Sequence, residues 1–246
     1  MSDIKLLCGD CLELMKNIPD KSIDMVLCDL PYGTTACFWD VVIPFDKLWE
    51  QYNRIIKDIG VIALFGVEPF SSSLRLSNLK IYKYDWIWQK SKVQGFLNCN
   101  KRPLINYENI MIFYKKQCTY NPQNLVRGEF NNFRPAKLSD EKSKIYGKET
   151  VFGISEFCNY PKTIIKFNSV SNNLHPTQKP VELLEYLIKT YTNEGTTILD
   201  NCMGSGSTGV ACKNLNRNFI GIELDEHYFN IAKERIENFH KSKELF

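Results

Sequence analysis

Ile198-Leu199-Asp200 is a short apolar strand that runs straight into Asn201-Cys202-Met203-Gly204-Ser205-Gly206-Ser207-Thr208-Gly209, after which Val210 to Leu215 takes up helical spacing. Strand, glycine loop and helix in that order make one half of a βαβ unit, because glycine permits both the tight turn and a close approach of backbone to a ligand. Gly204 to Gly209 matches G-x-G-x-x-G, and Phe219 to Leu224 reads as the next strand, carrying Glu223 near its end. An acid there accepts ribose hydroxyls. The pattern therefore predicts an adenosine-bearing ligand bound at the edge of a mainly parallel sheet.

Outward from this loop the chain keeps alternating between strand and helix. Tyr228 to Phe239 closes it as a helix, and Leu183 to Tyr191, with Pro180 just ahead of it, is the helix that leads in. In the first half, Asp3 to Cys8 reads as a strand ending at Gly9-Asp10, Cys11 to Asn17 as a short helix, and Met25 to Cys28 as a buried strand. Phe45 to Lys57 is an amphipathic helix, and Val61 to Gly66, Tyr84 to Gln89 and Glu108 to Lys115 are further strands. Such alternation predicts a three-layer α/β sandwich.

The strand Met25 to Cys28 stops abruptly at Asp29-Leu30-Pro31-Tyr32-Gly33. Residues just past a strand's carboxyl end face the ligand crevice, so polar chemistry is expected there. Pro31 stiffens the turn and biases Leu30 towards extended backbone. The Asp29 carboxylate, the Leu30 carbonyl and the Tyr32 ring together suit a planar base with an exocyclic amine, the amine held by two acceptors and the base stacked on the ring. Asp10 ends its own strand in the same way, which directs a second carboxylate to the crevice.

Between Lys116 and Leu174 the alternation breaks. Phe130, Phe133, Tyr146, Phe152, Phe157 and Tyr160 are interleaved there with basic residues and with Pro122, Pro135 and Pro161. Residues 80–166 hold 16 Lys and Arg against 7 Asp and Glu, a local +9 in a chain whose net charge is +3. Cations for phosphates and rings for stacking are what a nucleic-acid surface uses. The domain expectation is thus 1–116 and 175–246 as two halves of one domain, with 117–174 inserted between them. The nine cysteines are odd in number and scattered, which points to reduced thiols. The sequence has no apolar run long enough to span a membrane and no leader pattern at its start, so a cytoplasmic protein is expected.

Several of these stretches, in this order, resemble the β-group DNA adenine-N6 methyltransferases of the N4/N6 amino-methyltransferase family. Asp29-Leu30-Pro31-Tyr32 is similar to the family's (D/N/S)-P-P-Y motif, with Leu30 where the first proline usually stands. His175-Pro176-Thr177-Gln178-Lys179-Pro180 resembles its H-P-x-x-K-P segment, and the glycine loop comes last, a permuted order. The resemblance implies a Rossmann-like methyltransferase fold with an inserted target-recognition region, S-adenosylmethionine as cofactor, and double-stranded DNA as substrate with the target adenine flipped out of the helix. It also leaves room for a homodimer and a cognate restriction endonuclease. Asp29, Leu30, Pro31 and Tyr32 would form the catalytic turn. Gly204, Ser205, Gly206 and Thr208 would line the methionine part of the cofactor with Asp200 beneath. Thr177 and Lys179 would hold its carboxylate, Glu223 its ribose and Asp10 its adenine amine. Cys202 stands where the family usually has phenylalanine. Other readings stay open at this stage: an NAD-dependent oxidoreductase on the same loop, a catalytically impaired DNA-binding relative, or the same chemistry on cytosine N4, on RNA or on a protein amide.

Overall fold

A computed structural model describes residues 2–34, 40–127, 157–170 and 178–238. The chain divides into two compact units, Met1–Asn121 with Thr163–Phe246 and, separately, Pro122–Lys162. The larger unit is built on an eight-stranded sheet in the order β1-β10-β9-β2-β3-β5-β4-β8. Its strands are β1 (Ile4–Cys8), β2 (Ile23–Cys28), β3 (Ile56–Gly66), β4 (Tyr82–Gln94), β5 (Ile105–Phe113), β8 (Ile164–Phe167), β9 (Thr197–Asp200) and β10 (Asn218–Glu223). Every pairing is parallel except those of β5, which runs against both β3 and β4.

Helices cover both faces, and the pleat of the strands decides which side chains meet them. Met25 and Leu27 of β2 and Val61, Ala63 and Phe65 of β3 point to one face. There they pack on α4 (Val181–Tyr191), α5 (Ser207–Asn214) and α6 (Glu226–Glu237). Val26, Cys28, Ile62 and Leu64 point to the other face, against α1 (Cys11–Met15), α2 (Phe45–Ile55) and α3 (Phe70–Ser77). Strands buried on both faces are apolar at nearly every position, which is why β2 and β3 read as continuous runs. Among the described residues no helix is long and apolar enough to cross a membrane.

Three of the differences from the sequence reading bear on the sheet. α2 ends at Ile55 and β3 begins at the next residue, so Ile56 and Lys57 belong to a strand and not to the helix. The β4 strand continues to Gln94, well past Gln89, because its far end keeps pairing with β5 through Gln94 and Ile105. The third is β8, which lies inside the stretch where no period is visible yet pairs with β4 as the sheet's edge. An edge strand packs little of itself: only Ile165 of its four residues is buried, too little to give an alternating signal. The smaller unit contains a two-stranded antiparallel ladder, β6 (Val126–Arg127) with β7 (Phe157–Cys158), and the Asn159 amide donates to the Asn124 carbonyl at 2.9 Å beside it.

Hydrogen bonds between side chains tie the core of the larger unit together. The Trp86 indole donates to the Tyr191 hydroxyl at 2.6 Å, and the Tyr84 hydroxyl lies 3.0 Å from the same oxygen, tying β4 to α4. Tyr191→Phe leaves the buried indole N–H without its acceptor, and it should destabilise the protein by about 1–3 kcal/mol. Urea denaturation checks this, and a midpoint equal to that of the wild type would refute the link.

Candidate functional site

β2 and β9 are neighbours and parallel, Met25 opposite Ile198 and Val26 opposite Leu199, so their carboxyl ends open on the same edge of the sheet. From β9 the chain passes through α5 to β10 on one side, and from β2 through α2 to β3 on the other. That reversal makes a switch point, where open α/β sheets bind ligands. A cavity of about 340 Å³ lies there. Asp29, Leu30, Pro31 and Tyr32 line it from the end of β2, and Asp200, Gly204, Ser205 and Thr208 from the end of β9. Asp10, Lys179 and Glu223 line it as well, whereas Thr177 lies outside the described residues.

Both oxygens of the Asp29 carboxylate are engaged. The Tyr32 hydroxyl donates to Oδ1 and the Lys179 ammonium to Oδ2. Burial raises the Asp29 carboxyl above its ordinary range, with Lys179 opposing that rise and the nearby Glu108 adding to it. Burial, and then the Asp29 charge, raise the Tyr32 phenol well above its usual value. The Tyr32 ring packs on Phe70, with centroids 4.8 Å apart and planes at 34°. The turn itself is gathered round Asp40, whose carboxylate accepts the backbone N–H groups of Tyr32 at 2.7 Å, Gly33 at 2.8 Å and Thr34 at 2.8 Å.

On the other wall, Asp200 Oδ2 accepts the Thr208 hydroxyl at 2.6 Å and Oδ1 accepts the Cys202 N–H at 3.2 Å. These bonds brace the glycine loop across its width. Burial nevertheless pushes Asp200 up to about 6. Glu223 Oε2 accepts the Gly204 N–H at 2.7 Å and Oε1 the Asp225 N–H at 3.0 Å, which fixes this carboxylate at the cavity rim. Burial raises its carboxyl, and these N–H groups oppose the rise. Asp10 caps α1 by accepting the Glu13 N–H at 3.1 Å. Beside Cys202, Asn201 accepts the Tyr52 hydroxyl at 2.6 Å and lies 3.6 Å from the sulfurs of both Cys11 and Cys202, a polar floor where the family's phenylalanine would be apolar.

Two of the expected site residues have protein neighbours that the motif reading did not supply. Gly206 does not line the cavity. It takes φ +78° at the start of α5, and a Cβ there would meet the Ala232 Cβ at 2.9 Å, so its constraint is the close packing of α6. Lys179 is directed to the Asp29–Tyr32 turn: its ammonium pairs with Asp29 and lies 3.4 Å from Glu108.

A family model described as DNA methylase, that of the N6/N4 methyltransferases, matches residues 23–234. The chain belongs to this DNA methylase family. The type II methyltransferase M.HpaI of Haemophilus parainfluenzae is 30% identical over 96% of this chain and 75% of its own length. M.HinfI of Haemophilus influenzae is 29% identical over 94% of this chain and 67% of its own. Among solved structures, M1.HpyAVI in complex with SAM superposes with a TM-score of 0.64 at 26% identity, covering 94% of this chain and 99% of that one. The cytosine-N4-specific PvuII methyltransferase shares the fold, with a TM-score of 0.69 at 15% identity over 98% of this chain and 88% of that one.

Sequence reasoning missed two residues of this methylase's site. Asp40 is separated from the turn it holds by several residues without a pattern, and the only signal is a run of turn N–H groups in need of an acceptor. Glu108 was visible as part of a strand but without a role. An acid leading the apolar run Ile110-Met111-Ile112-Phe113 must find a buried partner, and that requirement is its signal.

Asp40→Ala removes the shared acceptor of the turn and should cost about 1–3 kcal/mol in chemical denaturation, with Asp40→Asn losing less. Asp200 gives a pH-dependent expectation. Its folded pKa lies above the ordinary carboxylate value, so the stability it contributes is present at acid pH and is lost as pH rises through about 6. The stability of Asp200→Asn relative to the wild type should therefore increase by up to about 3 kcal/mol between pH 4 and 7. Thermal melts across that range test it, and a difference that does not change with pH would contradict the assignment.

Proposed function

We propose that this methylase transfers a methyl group from S-adenosylmethionine to the exocyclic N6 amine of adenine at a specific site in double-stranded DNA. The observation that carries the proposal is the single cavity shared by the Asp29–Tyr32 turn and the glycine loop, one wall suited to an amine and the other to an adenosine ligand. The residues fit the cofactor. The volume is in the range of small-molecule sites, the loop offers backbone instead of side chain, and the carboxylates of Glu223 and Asp10 stand ready for hydroxyl and amine donors. Gly204, Ser205 and Thr208, braced by Asp200, would hold the cofactor on its glycine side. When bound, S-adenosylmethionine supplies a sulfonium methyl group, which the amine takes with its lone pair while the S–C electron pair stays on sulfur.

The rest of the chemistry belongs to the protein. An adenine amine is a poor nucleophile because its lone pair is delocalised into the ring. Acceptors on both N–H bonds, the Asp29 carboxylate and the Leu30 carbonyl, favour a pyramidal nitrogen and aim the lone pair. The catalysis is then mostly positioning and preorganised charge. Pro31 and the Asp40 anchor keep these acceptors in place. The nitrogen becomes acidic once it carries the methyl group, so Asp29 need not be a strong base to take its proton. Reaching the cavity requires the base to leave the duplex, and the Tyr32 ring would replace the lost stacking.

The inserted region, 117–174 with its excess of cations, is proposed as the target-recognition surface. A homodimer, a restriction endonuclease of matching specificity and a cytoplasmic location complete the reading. Asp29 before Leu30-Pro31-Tyr32 favours adenine, since acid-first motifs in this family go mostly with that base.

Calorimetry should show S-adenosylmethionine binding to the wild type and to Asp29→Ala, with NAD binding to neither. Asp29→Ala should lower the single-turnover methylation rate by about two orders of magnitude or more, and nucleoside analysis of the product DNA should find N6-methyladenine. N4-methylcytosine would move the target base. Methylation by Asp29→Ala at the wild-type rate would reduce the turn to a structural feature.

A further inference from the structure

Behind Asp29 lies a buried chain of alternating charge. Lys90 pairs with Oε1 of Glu108, and Lys179 pairs with Asp29 while lying 3.4 Å from Oε2 of Glu108. The side chains of Lys90, Lys179 and Glu108 are each less than a tenth exposed. Among the described residues Glu108 Oε2 makes no hydrogen bond, although it is buried. A buried carboxylate oxygen in that state is costly unless a donor can reach it, and the Lys179 ammonium lies 3.4 Å away. That ammonium also sits 5.1 Å over the Phe65 ring, a surface along which a cation stays favoured as it moves.

We propose that Glu108 is a positioning residue for methyl transfer: it draws the Lys179 ammonium off Asp29 as the target amine arrives, leaving Asp29 to meet the amine as an unpaired acceptor. This rests on the reading of Asp29 as the amine's acceptor. With Lys179 on Oδ2 and Tyr32 on Oδ1, both oxygens of Asp29 already accept strong donors, and a carboxylate neutralised by an ammonium is a weaker acceptor for a neutral amine. The amino nitrogen also gains positive charge as it takes the methyl. A cation fixed on Asp29 opposes that charge, and the same cation carried by Glu108 opposes it less. The cluster is built for the exchange because it is neutral as a whole, two ammoniums to two carboxylates. Removing the Glu108 charge alone leaves two cations with Asp29 as their one anion, and Lys179 then stays on Asp29.

The rival account is that Glu108 only neutralises Lys90. Glu108→Gln and the double variant Lys90→Met/Glu108→Gln separate the two, since the double variant removes one charge of each sign and leaves Lys179 with Asp29 as a balanced pair. Single-turnover methylation is measured on a duplex carrying the methylation site, read from DNA modified by the wild type. Calorimetric titration with S-adenosylmethionine checks that each variant is folded. Glu108→Gln should be about ten- to a hundred-fold slower, on the scale of a misplaced reacting group, and the double variant should stay slow. A rate within two-fold of wild type in Glu108→Gln, or recovery of that rate in the double variant, overturns the proposal. If Glu108→Gln does not fold, the charge-balanced double variant decides alone. A crystal structure of the wild type with the duplex and S-adenosylhomocysteine gives a readout independent of rate. It should show Lys179 Nζ closer to Glu108 than to Asp29, and an ammonium still paired with Asp29 beside a bound adenine amine overturns the proposal equally. Asp29→Ala is measured in parallel. Full activity there removes the underlying reading, whereas an inactive Asp29→Ala beside a normal Glu108→Gln removes only the inference about Glu108.

Discussion

The parallel pairing of β2 with β9, Met25 against Ile198 and Val26 against Leu199, brings Asp29 and the glycine loop to one crevice although they lie at opposite ends of the chain. The pairing is short, and its register is set by burial on both faces. A slip of one residue would exchange Met25 and Leu27, which face α4 and α5, with Val26 and Cys28, which face α1 and α2. Such a slip would also turn Asp29 away from the cavity. The packing of the two helical layers therefore also positions Asp29.

Around that crevice the methylase buries more charge than folding alone would favour. Asp29, Glu108, Lys90 and Lys179 form a connected set, and Asp200 and Glu223 are held at the loop by N–H and O–H donors. Buried ion pairs are weak contributors to stability because desolvation offsets the attraction. Their use lies in preorganisation: acceptors fixed before substrate arrives need not reorient when charge develops. The two walls solve this differently. At the glycine loop, backbone and hydroxyl donors fix the carboxylates. At the Asp29–Tyr32 turn the buried Lys179 ammonium and the Tyr32 hydroxyl do so.

Charge is also uneven along the chain: the excess of cations falls on residues 80–166, while the rest is mildly acidic.

Much of this protein was legible in the chain. Apolar runs marked β2, β3 and β9, and the G-x-G-x-x-G loop and Asp29-Leu30-Pro31-Tyr32 at a strand end marked the two walls of the cavity, because strand burial, glycine turns and proline stiffness are local properties that one segment displays alone. β8 escaped notice because an edge strand buries a single residue. Asp40 and Glu108 remained without roles because each acts through a partner that is remote or unpatterned in sequence: the N–H groups of the turn for one, the ammoniums of Lys90 and Lys179 for the other. Gly206 fitted its motif, and a Cβ at that position would also meet Ala232 of the closing helix. Sequence by itself determined which residues end strands and which loops bend. Tertiary structure decided which charges share a buried space, because Coulomb attraction and desolvation depend on distance and burial, and neither is written in the order of the residues.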